Sequence, residues 1–160
     1  MELEQHSGQS SVAARTNSQE TASRRPYVLV VDDDPAHRRL MELVADSLIV
    51  HITSVHCAIE ALKLLAEIDA FELILLDCRM PEVDGFAFAQ RYRQFEQSSS
   101  RQRVPIIAVT GLCHENTPTR CLQAGMDDYL FKPFELSELK TKIEMIIERS
   151  ECDTARSASK

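Results

Sequence analysis

The sequence predicts an α/β fold, a doubly wound five-stranded parallel sheet with five helices in a three-layer sandwich. Three observations predict it. Five short apolar runs recur along the 160 residues. Each is followed by a stretch whose apolar residues repeat at helical spacing, the rhythm of right-handed βαβ units. Four of the runs lead directly into acids, a hydroxyl or a lysine, where open α/β sheets keep their ligand sites.

The first run, YVLVV (27–31), ends in Asp32, Asp33 and Asp34. Asp34 and Pro35 suit the cap and first turn of a helix. The helix itself is predicted to turn Leu40, Leu43, Val44 and Leu48 to the core. VHITSV (50–55) is a weaker strand, and Ala58, Ala61, Leu62 and Leu65 mark the second helix. LILL (73–76) has no polar alternation, as expected of a strand buried on both faces, and it stops at Asp77. Pro81, Asp84 and Gly85 supply turn chemistry beside that acid. Phe86, Ala89 and Tyr92 begin a third helix, and QSSSRQR (97–103) reads as a polar loop. Pro105 stands at the start of strand IIAVT (106–110), where it breaks no ladder. A short helix over about 116–124 stops at Gly125. DYLF (128–131) is the last strand, followed at once by Lys132-Pro133. Leu136, Leu139, Ile143, Ile146 and Ile147 make the clearest amphipathic helix.

Residues 1–26 are rich in Ser, Gln, Thr and Ala and have no aromatic side chain. Such a segment buries too little apolar surface to offset its ordering entropy, so a disordered tail is expected there. The folded domain is expected over 27–150, with a second loose tail over 151–160. Apolar content of 44% and charged content of 27% are ordinary for a soluble domain, and no apolar run approaches membrane-span length. The N-terminus lacks the apolar core of a secretory signal, so a cytoplasmic location and no membrane partner are expected. Net charge is −7, carried between the two balanced tails, which argues against a nucleic-acid partner. The five cysteines form no CxxC pair and the five histidines show no metal-ligand spacing, so both are read as structural or solvated.

In a parallel sheet the carboxyl ends of all strands share one edge. Asp32 and Asp33, Asp77, Thr110 and Lys132 therefore converge on one pocket despite their separation in sequence. Taken singly, each has an ordinary explanation: a charged helix cap, a strand-ending acid, a turn hydroxyl, a solvated amine. Four matching strand ends favour one site. Three neighbouring carboxylates raise one another's pKa, and a hard cation such as Mg²⁺ or Mn²⁺ relieves that repulsion. Mg²⁺ completes its shell with water and phosphate oxygens, so the site suits a phosphoryl group. Asp77 is then the nucleophile, with Lys132 and Thr110 serving the phosphoryl oxygens.

VVDDDP, LLDCRMPEVDGF, AVTG and DYLFKPF, in that order, resemble the receiver domain of two-component response regulators over about residues 27–149. The wording of the second and fourth is similar to receivers of hybrid histidine kinases and phosphorelays. The resemblance implies a flavodoxin-like sheet of order 2-1-3-4-5 and a cis Lys132-Pro133 bond. It implies Asp77 as phosphoacceptor, fed by a histidine kinase or histidine phosphotransfer protein. Mg²⁺ would be held by Asp32, Asp33, Asp77 and the backbone carbonyl of Arg79. Thr110 and Tyr129 would form the switch pair, reading out to a downstream protein through the helix 4–strand 5–helix 5 face. Arg79 and Leu112 depart from the commonest family choices at positions that govern water attack on the acyl phosphate, which implies a long-lived phosphorylated form. The ten residues after 150 are too few for an output domain, so output is expected through another protein or from a longer chain.

Such a domain promotes only its own phosphorylation and dephosphorylation and is not a turnover enzyme. The rival is a phosphatase of the haloacid-dehalogenase type, which places a nucleophilic Asp after strand one in a DxDx(T/V) pattern. Asp32 and Asp34 fit it; Ala36 stands where Thr or Val belongs, and no cap domain is evident. A receiver-like binding module that is never phosphorylated is the other alternative. The complete set of acids, Thr110 and Lys132 argues against it.

Overall fold

The computed structural model describes residues 24–111 and 115–157. Its elements, in chain order, are β1 (Tyr27–Val31), α1 (Pro35–Leu48), β2 (His51–Val55), α2 (Ala58–Glu67), β3 (Leu73–Leu76), α3 (Gly85–Ser99), β4 (Ile106–Thr110), α4 (Thr117–Gln123), β5 (Asp128–Phe131) and α5 (Leu136–Ser157). The five strands form one sheet of order β2-β1-β3-β4-β5, parallel throughout. This is the doubly wound topology expected.

Side-chain alternation along the three inner strands builds two cores. Leu29, Val31, Ile74, Leu76, Ile106 and Ala108 face α2, α3 and α4. Val28, Val30, Leu73, Leu75, Ile107 and Val109 face α1 and α5. Both faces of β1, β3 and β4 are covered, so their sequences carry no polar alternation. β2 and β5 are the edges and are less buried.

Helix α1 corrects the predicted stripe. Met41 and Leu48 are buried, and Val44 and Ala45 pack against the core. Leu40 and Leu43 are 53% and 65% exposed. Positions 41, 44, 45 and 48 follow the i, i+3, i+4, i+7 repeat. At 100° per residue, Leu43 points nearly opposite to Met41. The predicted stripe is right at Val44 and Leu48 and wrong at Leu40 and Leu43, where Met41 and Ala45 take the inward places.

The tails also depart from expectation. Residues 24–26 are engaged: Arg24 pairs with Glu72 at 2.8 Å, Arg25 with Asp46, and Pro26 O accepts from His51 N at 2.9 Å. The expected disordered segment 1–23 lies outside the described residues. At the other end α5 runs on to Ser157, so a helix occupies most of the predicted loose tail. Residues 151–157 contain no proline or glycine to stop it. Residues 158–160 lie outside the described residues. Helix α3 likewise continues to Ser99, into the predicted polar loop, before Ser100 ends it in the left-handed conformation.

Candidate functional site

The carboxyl edge of the sheet opens into a cleft of about 1080 Å³ whose walls include Asp32, Asp33, Asp77, Arg79 and Lys132. Asp32 and Asp33 follow β1 directly, where the first of the βαβ turns leaves the sheet. Asp32 N donates to Val55 O at 3.2 Å, and Asp34 N donates to Asp32 Oδ1 at 2.9 Å. Asp34 caps α1 by accepting from Ala36 N at 2.8 Å. That turn leaves Asp32 buried and Asp33 exposed at the rim.

Asp77 follows β3, and its own N–H donates to Val31 O at 2.9 Å, which ties the two acid-bearing strand ends together. Its Oδ1 accepts from Arg79 N at 2.8 Å. The chain then turns back closely enough that Gly85 N donates to Cys78 O at 3.1 Å. A side chain at Gly85 would collide with the Asp77 carbonyl oxygen and lie 2.8 Å from Cys78 Cα. Glycine there is a matter of space, and Asp84 caps α3 from the preceding position.

The expected acid cluster forms. Asp32, Asp33 and Asp77 each offer a carboxylate oxygen, all within 4.8 Å of one another. An all-oxygen anionic set of this kind fits a hard divalent cation. Burial pushes the Asp77 carboxyl above its ordinary range; the Arg79 N–H and Lys132 oppose the shift, and the Asp32 charge adds to it. Lys132 Nζ lies 2.8 Å from Asp32 Oδ2 and 3.4 Å from Asp77 Oδ2. It follows β5 directly and is joined to Pro133 by a cis peptide bond, as expected.

Thr110 sits at the end of β4, as predicted, but fully buried behind the cleft. Tyr129 is partly buried on β5, with its ring 5.3 Å from Phe131 and 5.7 Å from Lys142 Nζ. The Arg79 guanidinium reaches toward Gly111 at the end of β4. Leu112 lies outside the described residues.

Two features escaped the sequence reading. His37, read only as structural or solvated, has Nδ1 3.0 Å from Lys132 Nζ and 3.4 Å from Asp32 Oδ2. The signal was its place in the first turn of α1, three residues after the cap Asp34. Cys78 and Cys121 are buried in one core cluster behind Asp77, and the Cys121 thiol together with burial holds the Cys78 thiol well above its usual range. Nothing in their spacing of 43 residues announced that contact.

Residues 28–144 match the model of the response regulator receiver domain. The chain belongs to that family. The receiver is 35% identical over 127 residues to the sensor histidine kinase GacS of Pseudomonas protegens, a match that covers 79% of this chain and 14% of the kinase. It is 37% identical over 118 residues to the hybrid signal transduction protein dokA of Dictyostelium discoideum, covering 72% of this chain and 7% of that protein. The chain thus spans a small fraction of the curated relatives it matches. Among solved structures, the receiver domain of the Francisella response regulator 1452 superposes with a TM-score of 0.69 at 26% identity, covering 79% of this chain and 99% of that one. The complex of the Saccharomyces cerevisiae histidine phosphotransfer protein Ypd1 with the receiver domain of Ssk1 matches with a TM-score of 0.69 at 25% identity, over 74% of this chain and 86% of that one. Among the described residues no helix is long and apolar enough to cross a membrane.

Proposed function

We propose that Asp77 is the phosphoacceptor of a two-component or phosphorelay receiver, taking its phosphoryl group from a phosphohistidine on a kinase or phosphotransfer protein. The observation that carries this is the convergence of Asp32, Asp33 and Asp77 within 4.8 Å, with Lys132 against two of them. The Ypd1–Ssk1 likeness supports a phosphotransfer protein as one form of donor. Asp32, Asp33 and Asp77, with the Arg79 backbone carbonyl, are the residues that would hold Mg²⁺. When bound, the cation neutralises the crowded acids and the incoming phosphoryl oxygens.

The residues then divide the work. An Asp77 carboxylate oxygen attacks phosphorus, the donor's P–N bond breaks, and the imidazole leaves with its electron pair. The Arg79 N–H, already on Asp77 Oδ1, fixes the carboxylate plane. Lys132, at 3.4 Å from Asp77 Oδ2, needs only a small shift to meet a phosphoryl oxygen. Positioning and charge stabilisation carry the transfer. Thr110 then hydrogen-bonds the phosphoryl group, and Tyr129 follows it inward. The α4–β5–α5 face changes for a downstream protein.

Incubation with a small acyl-phosphate donor and Mg²⁺, read by intact mass, should add one phosphoryl group to the chain. Asp77→Asn should add none. An unmodified wild-type chain, or modification that persists in Asp77→Asn, would refute the assignment. Continuous turnover of phosphate esters would instead favour a hydrolase.

A further inference from the structure

The rim that carries the three acids holds a second set of donors, one strand away. Val55 ends β2, and its carbonyl is the acceptor for Asp32 N. His56 and Cys57 therefore leave the sheet at the same edge as the acid cluster. Glu60, in the first turn of α2, reaches back over them. Its Oε2 lies 2.7 Å from His56 Nδ1 and 3.4 Å from His56 N. One donor atom each from His56, Cys57 and Glu60 lies within 4.8 Å of the other two.

An i, i+4 ion pair alone would account for His56 and Glu60. It does not account for Cys57. This residue occupies the N-cap of α2, where Ser, Thr, Asp or Asn normally accept a backbone N–H. Its side chain makes no capping bond, and it is a free, half-buried thiol turned into the same group of donors. An imidazole, a thiol and a carboxylate brought together by five residues of chain form a mixed donor set that suits zinc.

We propose that His56, Cys57 and Glu60 form a second divalent-metal site, of the zinc class, chemically distinct from the all-carboxylate site. Three protein ligands leave the fourth tetrahedral position open to water or to an outside donor. On binding, His56 ligates through Nδ1 and its proton moves to Nε2. The Cys57 proton passes to buffer, and Glu60 exchanges its hydrogen bond for the metal. No redox change is involved. The thiolate separates the two sites: it favours Zn²⁺ or Co²⁺, while the acids at 32, 33 and 77 suit Mg²⁺. A search for paired cysteines or paired histidines passes over this site, because its ligands are of three kinds.

The test uses the full chain, reduced, freed of metal with a chelator and returned to excess Mg²⁺ so that the carboxylate site is filled. Titration with Co²⁺ should develop a near-ultraviolet thiolate-to-cobalt absorption that saturates at one equivalent and is bleached by Zn²⁺. Cys57→Ser should abolish it; serine is a good helix cap, and far-ultraviolet dichroism confirms that the variant folds. His56→Ala and Glu60→Gln should weaken Co²⁺ binding by about tenfold or more. Cys152→Ser, at the exposed thiol of α5, should leave it unchanged. No absorption in the wild-type chain, or one that survives Cys57→Ser, overturns the proposal. Neither result bears on phosphorylation of Asp77, which the mass measurement decides separately.

Discussion

Arg79 stands two residues after Asp77 and lines the cleft, its Nη2 3.9 Å from where a Cβ on Gly111 would lie. From there its guanidinium can lie over an acyl phosphate on Asp77 and obstruct the approach of water. Arg79→Ala is expected to shorten the phosphorylated form's life roughly two- to tenfold, a barrier change of up to about 1.4 kcal/mol. A time course of intact mass in Mg²⁺ measures this; an unchanged decay would remove the shielding role. Gly85 works at the same scale by having no side chain. Gly85→Ala forces the start of α3 away from the Asp77 carbonyl, and overpacking of this kind costs about 1–3 kcal/mol. Denaturant unfolding should show that loss, together with slower phosphorylation by the acyl-phosphate donor.

Among the elements, α3 is anchored far from the chemistry, at the opposite edge of the sheet. Arg93 donates to Glu96 at 2.6 Å, to Asp127 at 2.9 Å, and to the carbonyls of Val104 and Gly125 at 2.8 Å each. Glu96 completes the clamp by accepting from Val104 N at 2.7 Å. One arginine thus ties α3, the entry to β4 and the α4–β5 turn. Gly125 turns at φ +89°, and any Cβ there would meet the Arg93 side chain at 2.8 Å. Arg93→Ala strands the buried Glu96 carboxylate, and breaking such a pair costs about 3–5 kcal/mol. Thermal or denaturant unfolding checks it. A loss below about 1 kcal/mol would mean that water replaces the arginine freely. None of this was visible in QRYRQFEQ, which reads as a polar helix surface. The partners at 104, 125 and 127 arrive only when the chain has folded. Asp34 was legible as a cap because a cap is local, needing only the backbone N–H groups two or three residues on. Asp84 reads as a turn residue and is seen to cap α3 only in the structure.

Across the whole molecule, the receiver must link Asp77 to a surface. Thr110 is fully buried behind Asp77, and Tyr129 packs beside Phe131 on the adjacent strand. Phosphorylation that draws Thr110 forward vacates space beside the Tyr129 ring. The coupling expected is about 1–3 kcal/mol, or roughly 5- to 150-fold in partner affinity. Tyr129→Ala should bring the ratio of phosphorylated to unphosphorylated affinity close to one while leaving Asp77 phosphorylation intact. Affinity measurements on a partner that distinguishes the two forms test this route; an unchanged ratio excludes it.

The residues alone determined the layered sandwich, the five strands and the gathering of Asp32, Asp33, Asp77 and Lys132. Each strand is a short local run, and parallel pairing sends every carboxyl end to one edge. The resemblance supplied the strand order and the cis bond at Pro133. Only the tertiary structure decided that α1 buries Met41 rather than Leu43, that His37 touches Lys132, and that His56, Cys57 and Glu60 meet. In α1 the stripes 40/43/44/48 and 41/44/45/48 both have helical spacing, so packing chose between them, and the other contacts depend on which side chains arrive in space.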